Sequence, residues 1–527
     1  MQGNREDMPS SRKYLLAGAA LLCFATAANA DDDNGRFAPK VDHVLLISID
    51  GMHEIDLKLW VQNHPNGALA RLSTHGTTYS QAYTTAPSDS FPGMIAQATG
   101  GTPYSAGVFY DDSYDRTFFA PGSNCAGTPG AETTFAENLD KSLADVTGGG
   151  TLGDPISQIN PANLPLTKVD GNCVAVWPHQ FIRVNTLFEV LRADNKHTAW
   201  SDKHPAYEIL DGPSGKGIED LFTPEINSQL PGGAAGDDNT TSFKGTRDYD
   251  QIKVNAVLNW IAAKDSIGHT FHGYIPAIFG MNFQSVSVGQ KLKHGYAGIE
   301  DTSLLGGYLD ANGKPGNALT LQLQFVDDSI GAMVKALHDY NLDQHTAIII
   351  SAKHGQSPID LSKLRRIPDT YSTVLKNDGY SFNIADDASL IWLDPSQRTA
   401  ETLAAAAADL AANAHTLGID KVLDRDELRQ FFRDPATDSR TPDFFVVSDH
   451  GVVYTTGSKL AEHGGVANDD RHVAMLVSAP GLDNVTVNEP VQTTQIAPTI
   501  LQMLGENPND LQAVRIEHTR VLPGLSQ

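Results

Sequence analysis

The chain has 527 residues, of which 38 are Lys or Arg and 63 Asp or Glu, giving a formal net charge of −25 at pH 7. So acidic a surface repels polyanions, which excludes broad contact with a nucleic-acid polymer or an anionic membrane but leaves room for a local positive pocket around one phosphate group. The length accommodates one large α/β domain with insertions, or two to three smaller ones.

Residues 1–30 read as an export signal: Arg12-Lys13 precedes an apolar run from Tyr14 to Ala27 and a small-residue exit at Ala28-Asn29-Ala30. The run is too short to span a bilayer, and no later stretch of about 18 apolar residues offers an anchor. On this reading the protein is secreted or periplasmic and starts near Asp31. Cys23 leaves with the signal, and Cys125 and Cys173 are expected to pair, closing a loop worth about 4 kcal/mol in the chain-entropy account.

Residues 44–49, 346–350, 444–447 and 473–477 are short uninterrupted apolar runs, the pattern of strands covered on both faces. Helical spacing predicts helices over about 323–340, 402–414 and 495–504. Segments 120–180 and 210–245, rich in Gly, Pro, Asn and Thr, read as ordered loops, and 361–440 as a small inserted lobe. Without a repeat or a Gly-rich linker, 31–527 is expected to form one decorated domain.

Asp50 closes the first strand as Ile49-Asp50-Gly51, and open α/β sheets gather ligands at the carboxyl ends of their strands. Alone, the pair reads better as a turn. In Ser88-Asp89-Ser90-Phe91-Pro92-Gly93, Ser90 stands where a helix opens with proline in its first turn. A serine among free helix N–H groups is placed to attack phosphorus or sulfur, and with no Gly-x-Ser-x-Gly elbow around it, a metal or a positive field has to activate it.

Taken in order, Asp50-Gly51, Ser90-Phe91-Pro92, His354-Gly355 and Glu462-His463-Gly464-Gly465 resemble the alkaline phosphatase superfamily, and more narrowly its type I phosphodiesterase/nucleotide pyrophosphatase family. The resemblance covers 42–116 and 320–525, and the middle more loosely. It implies a three-layer α/β/α sandwich with a central, mostly parallel sheet, a small phosphate ester as substrate and zinc as the divalent ion, one or two per chain. Position by position it makes Asp50 a metal ligand, Ser90 both ligand and nucleophile, and His354 and His463 the histidine ligands of two neighbouring sites. Asp111 or Asp112 falls where the family has a phosphate-contacting asparagine, so an acid there has to be protonated or paired.

Lys353 departs from the pattern, standing where the family has the Asp of Asp-His-Gly, and an ammonium cannot ligate a metal. Where another Asp and His are expected, the chain offers Asn282, Gln284 and Gln290. Lys353, with Lys203, is expected to supply fixed positive charge in place of a lost ion, and Lys203 and Asn282 join the substrate-facing set. His179 and His204 read as fold residues before substitute ligands. The leading reading is an exported hydrolase of phosphate esters, foremost phosphodiesters or nucleotide-type pyrophosphates, working through a Ser90 phospho-enzyme. Its rival is a non-catalytic phosphate- or sulfate-binding protein on the same fold. A sulfatase is disfavoured, because no Cys or Ser lies in a Cys/Ser-x-Pro-x-Arg setting.

Overall fold

The computed structural model describes residues 41–134, 139–270 and 273–525. The export-signal reading of residues 1–30 lies outside them. The central sheet contains β1 (His43–Ile49), β2 (Gly76–Tyr79), β3 (Ala199–Ser201), β4 (Asp220–Phe222), β5 (Ile278–Phe283) and β6 (Thr346–Ser351). A second sheet follows in the chain, made of β7 (Tyr380–Ala385), β8 (Ala388–Leu393), β9 (Ile419–Asp424) and β10 (Phe444–Ser448). The chain then returns to the first sheet with β11 (Leu476–Ser478) and β12 (Val485–Val487).

In space the eight central strands run β12-β2-β11-β6-β1-β5-β3-β4. β1 pairs in parallel with β5 and β6, β3 in parallel with β5 and β4, and β11 runs antiparallel to both its neighbours. The resulting fold is an alkaline-phosphatase-like α/β sandwich. On one face Val44, Leu46 and Ile349 pack with Phe91, Met94 and Ile95 of the Ser90–Thr99 helix. On the other, Leu45, Ile47 and Ile350 pack with Leu323, Val326, Ile330 and Met333 of the Asn317–Asp339 helix. Helices on both sides explain why β6 is buried at every residue and reads as a solid apolar run.

The predicted helices appear at Asn317–Asp339, Ala400–Ala412 and Ile496–Met503. Thr399 caps the second by accepting from the Thr402 N–H, which fixes its start. The run at 444–447 becomes β10 of the second sheet, where Phe444 and Val446 pack with Ala406 and Leu410 while Phe445 packs with Trp392 and Phe432. Burial on both faces is thus legible in the sequence, but which sheet receives the strand is not. In the run at 473–477, only the end enters the central sheet, as Leu476–Ser478. Cys125 and Cys173 form a disulfide with their Cα atoms 5.7 Å apart. Among the described residues, no helix is long and apolar enough to cross a membrane.

Register aligns the strand ends. Ser48 of β1 lies opposite both Ser351 of β6 and Asn282 of β5, so the chain leaves the sheet along one edge at Asp50, at Gln284 and at Lys353-His354. β3 delivers Asp202-Lys203 to the same edge. The Ser90–Thr99 helix descends onto this edge at Gly93, where an added Cβ would lie 2.2 Å from the Lys353 carbonyl oxygen. Gly93→Ala is therefore expected to push the helix off the sheet and cost about 1–3 kcal/mol of stability in urea unfolding, with hydrolytic activity falling in parallel because the helix carries Ser90.

Candidate active site

Backbone hydrogen bonds fix the strand ends to one another, Asp50 N–H donating to the Phe283 carbonyl at 3.0 Å and Gly51 N–H to the His354 carbonyl at 3.1 Å. Ser90 opens its helix, and Asp89 is the N-cap, accepting from the Phe91 N–H at 3.1 Å through its side chain and from the Gly93 N–H at 2.9 Å through its carbonyl. The helix N–H groups expected to be free for a ligand are thus taken up by Asp89, since a buried helix start has to satisfy its own donors.

Two groups touch the Ser90 hydroxyl, and Asp50 stands beside both. His354 Nε2 lies 3.1 Å from Ser90 Oγ, and Lys203 Nζ donates to that oxygen at 3.0 Å. Asp50 stands 3.8 Å from Lys203 Nζ and 3.9 Å from His354 Nε2. The other ring nitrogen of His354 lies 2.9 Å from the Gly355 carbonyl oxygen, which can only accept. Nδ1 therefore carries the proton of the neutral ring, and Nε2 is left to accept the Ser90 O–H. Burial drives His354 down to about 3, so the ring is neutral across the physiological range. Burial also works against charge on Lys203, but Asp50, Asp111, Asp202 and Asp89 outweigh it and hold the ammonium above its ordinary value. For Asp50, Lys353 and Lys203, with the hydrogen bond from Gln284, overcome the upward push of burial and keep the carboxylate ionised. A hydroxyl held between a neutral imidazole and an ammonium can lose its proton to the first and have the resulting charge balanced by the second.

Lys353 lies elsewhere in the site. Its Nζ donates to Asp202 Oδ1 at 2.8 Å and to the Tyr207 hydroxyl at 2.8 Å, and rests 4.1 Å above the Tyr207 ring. Tyr207 in turn stacks on Phe91, with ring centroids 4.5 Å apart. Of the two lysines assigned fixed charge from sequence, Lys203 touches Ser90 while Lys353 braces the floor beneath it. The sequence reading missed Asp202 and Tyr207. Asp202 carries the same signal as Asp50, an acid directly after a buried strand, and that signal was available.

His463 adjoins the constellation, its ring 3.9 Å from that of His354 and its Nδ1 3.6 Å from Asp89 Oδ2. Burial, then the neighbouring Glu132, pushes Asp112 up to about 9, so it is protonated at neutral pH, and Asp111 acts on the site through its charge on Lys203. Asn282 remains within β5, fully buried and level with Ser48. His179 and His204 pair with Glu208 and Glu225, and neither is among the groups on Ser90.

Residues 44–472 match the type I phosphodiesterase/nucleotide pyrophosphatase family. The chain belongs to that family. No curated protein matches the sequence. Among solved structures it resembles murine ectonucleotide pyrophosphatase/phosphodiesterase 5, with 15% identity, 88% of this chain and 96% of that chain covered, and a TM-score of 0.54. An inactive form of the murine protein in complex with AMP matches at the same identity and TM-score. Wild-type alkaline phosphatase PafA matches at 14% identity and a TM-score of 0.57, with 89% of this chain and 96% of that chain covered. At such identities these structures establish the fold.

Membership of the phosphodiesterase family brings an expectation of zinc at Asp50, Ser90 and His354, and the side chains present do not fit it. Together they offer one carboxylate, one imidazole and one hydroxyl, and the Lys203 ammonium already contacts the hydroxyl and faces the carboxylate. The Gln284 amide donates to Asp50 Oδ2, the oxygen that Lys203 faces, and Oδ1 is left without a hydrogen-bond partner. Among the amides offered where an Asp and a His are expected, Gln290 Nε2 donates to the Gly51 carbonyl and the Tyr308 hydroxyl, both at 2.8 Å, while its Oε1 accepts from Gln356. A divalent ion there would meet the Lys203 ammonium and side-chain amides, with Asp50 as the one anionic donor.

Two measurements check this electrostatic picture. Lys353→Met leaves Asp202 as a buried, unpaired charge, so it is expected to lose about 3–5 kcal/mol in urea unfolding, and adding Asp202→Asn should recover much of the loss. Unchanged stability in the single variant would show that the pair braces nothing. Folding should also be sensitive to alkali. Burial raises Asp112 to about 9, Asp140 to about 8, and Asp89, Asp386 and Asp211 to about 7. The folded chain keeps these protons after unfolded carboxyls, which titrate near pH 4, have lost theirs, so stability falls as pH rises through the folded values. The urea midpoint is expected to drop between pH 6 and pH 9.

Proposed function

We propose that this chain is an exported hydrolase of phosphate esters, foremost phosphodiesters or nucleotide-type pyrophosphates, with Ser90 as its nucleophile. The observation that carries the reading is the Ser90 hydroxyl held at hydrogen-bond distance from both His354 Nε2 and Lys203 Nζ. In the first step His354 Nε2 takes the Ser90 proton, the Ser90 oxygen forms its bond to phosphorus, and the ester oxygen leaves with its bonding electrons, collecting a proton from the imidazolium. In the second, His354 draws a proton from water, the water oxygen bonds to phosphorus, and the serine oxygen departs and is reprotonated. Lys203 balances the charge that grows on the attacking and phosphoryl oxygens. Lys353 enters as a positioning residue, since its partner Asp202 directly precedes Lys203. Family membership supports the reaction class, and the AMP complex of the murine protein supports a nucleotide-type ligand.

The rival is a phosphate- or sulfate-binding protein that turns nothing over, and the two lysines with a closed amide network favour it. Turnover of bis(p-nitrophenyl) phosphate separates the two readings. Ser90→Ala is expected to cut it at least about a thousandfold and Lys203→Met about 100- to 1000-fold, with phosphoserine at position 90 trapped by acid quench of the wild type. Wild type that binds phosphate tightly yet shows no turnover and no phosphoserine would establish the rival.

A further inference from the structure

Two buried acids from distant parts of the chain meet behind the serine. Asp387 sits in the turn between β7 and β8 of the second sheet, and Asp470 in the short Asn468–Arg471 helix that follows His463. Their carboxyl groups hydrogen-bond to each other. Two ionised carboxylates offer only acceptors, so this bond requires a proton on one of them. Among the described residues, Asp387 Oδ1 and Asp470 Oδ1 receive no hydrogen bond from any other group. Asp470 Oδ2 accepts from the Ala467 N–H at 2.9 Å, as an ionised carboxylate does, which leaves Asp387 as the donor. Gly465 lets the two acids approach, since an added Cβ there would lie 2.4 Å from Asp470 Oδ2 and 3.0 Å from Asp387 Oδ1.

Asp470 also reaches the other way. Its carbonyl accepts from the Gly355 N–H at 2.7 Å and from the Ser88 hydroxyl at 2.5 Å. Gly355 follows His354, and Ser88 lies two positions before Ser90, so the acid pair fastens the second sheet to the two loops that set the constellation. The surroundings are mostly acidic. Asp386 and Glu462 face Asp387, and Asp469 faces Asp470, while Lys291 and Lys459 are held by Glu462. Tyr110 and Tyr454 stand beside Asp387 as neutral phenols, and His450 and Arg471 are the positive groups on the Asp470 side. Burial, then Asp470, pushes Asp387 well above the carboxylate range, and burial raises Asp470 to about 6. Unfolded carboxyls titrate near about pH 4, so the pair stabilises the fold below its own folded value and ceases to as pH rises through it.

We infer that Asp387 and Asp470 form a pH-sensitive latch, in which one shared proton closes the second sheet onto the Ser88 and Gly355 loops and its loss to solvent in alkali opens that contact while the central sheet stays folded. Without the proton, two like charges face each other out of water, and their repulsion drives the opening. The latch does not depend on hydrolysis, because it is read from backbone protection.

Amide hydrogen exchange of the full-length chain is followed by mass spectrometry at pH 6 and pH 9, with rates corrected for base catalysis. In the wild type, protection of 384–389 and 464–472 is expected to fall at least tenfold between the two, while β6 keeps its protection. Asp387→Asn supplies an amide donor that does not titrate, so its protection over the same segments is expected to fall less than threefold. Should that variant fail to fold, Asp470→Asn, which retains an acceptor for the Ala467 N–H, makes the same comparison. Equal protection of the wild type at both pH values would overturn the proposal without any variant. So would a loss that extends to β6, or one as steep in the asparagine variant as in the wild type.

Discussion

The site rests on one ion pair sealed from water, Lys353 with Asp202, both side chains at 0% exposure. Removing two charges from water costs several kcal/mol each, recovered only when geometry is close and the remaining donors and acceptors are filled. Here they are. The Tyr207 hydroxyl takes a second Lys353 hydrogen, Trp200 Nε1 donates to the other Asp202 oxygen at 3.1 Å, and the Lys203 N–H donates to Asp202 Oδ1 at 2.9 Å. The pair also joins the ends of β6 and β3, which β1 and β5 separate in the sheet. Because Lys203 follows Asp202, anchoring Asp202 also sets where the second lysine can reach.

Around that anchor the site carries covalently attached positive charge, the Lys203 ammonium at the Ser90 hydroxyl. An ammonium on a strand-end lysine cannot leave when the medium changes, and the amides of Gln290 and Gln356 hold the neighbouring backbone at the Gly51 and Ser287 carbonyls. The cost is reach: a lysine balances charge at one point, whereas an ion coordinates several oxygens at once. Asp89 shows the same economy, since its side chain and carbonyl cap the Ser90 helix while its second carboxylate oxygen stays turned toward His463.

Much of this was readable from the residues in order. Buried parallel strands write themselves as apolar runs, and the polar residues that end them, Asp50 and His354, mark the edge where a site forms. The Ser-Phe-Pro opening of a helix placed Ser90, and the lysine beside His354 announced that the usual charge pattern had changed. Pairings between distant segments were not readable. Lys353 and Asp202 are 151 positions apart, Ser90 and Lys203 113, and nothing periodic links them. The destination of 444–447 was hidden for a related reason: an apolar run records that both faces are covered, not by which layer.

The disulfide between Cys125 and Cys173 spans 48 positions and ties a surface loop to the Asn172–Ala175 strand, away from every hydrogen bond described on Ser90, Lys203 and His354. Its clasp and the reactive centre are therefore separable. A chain produced in a reducing host gives up a peripheral tether and with it some resistance to proteolytic nicking, while the constellation at the sheet edge, built from carboxylates, amines and imidazoles, has no thiol to lose.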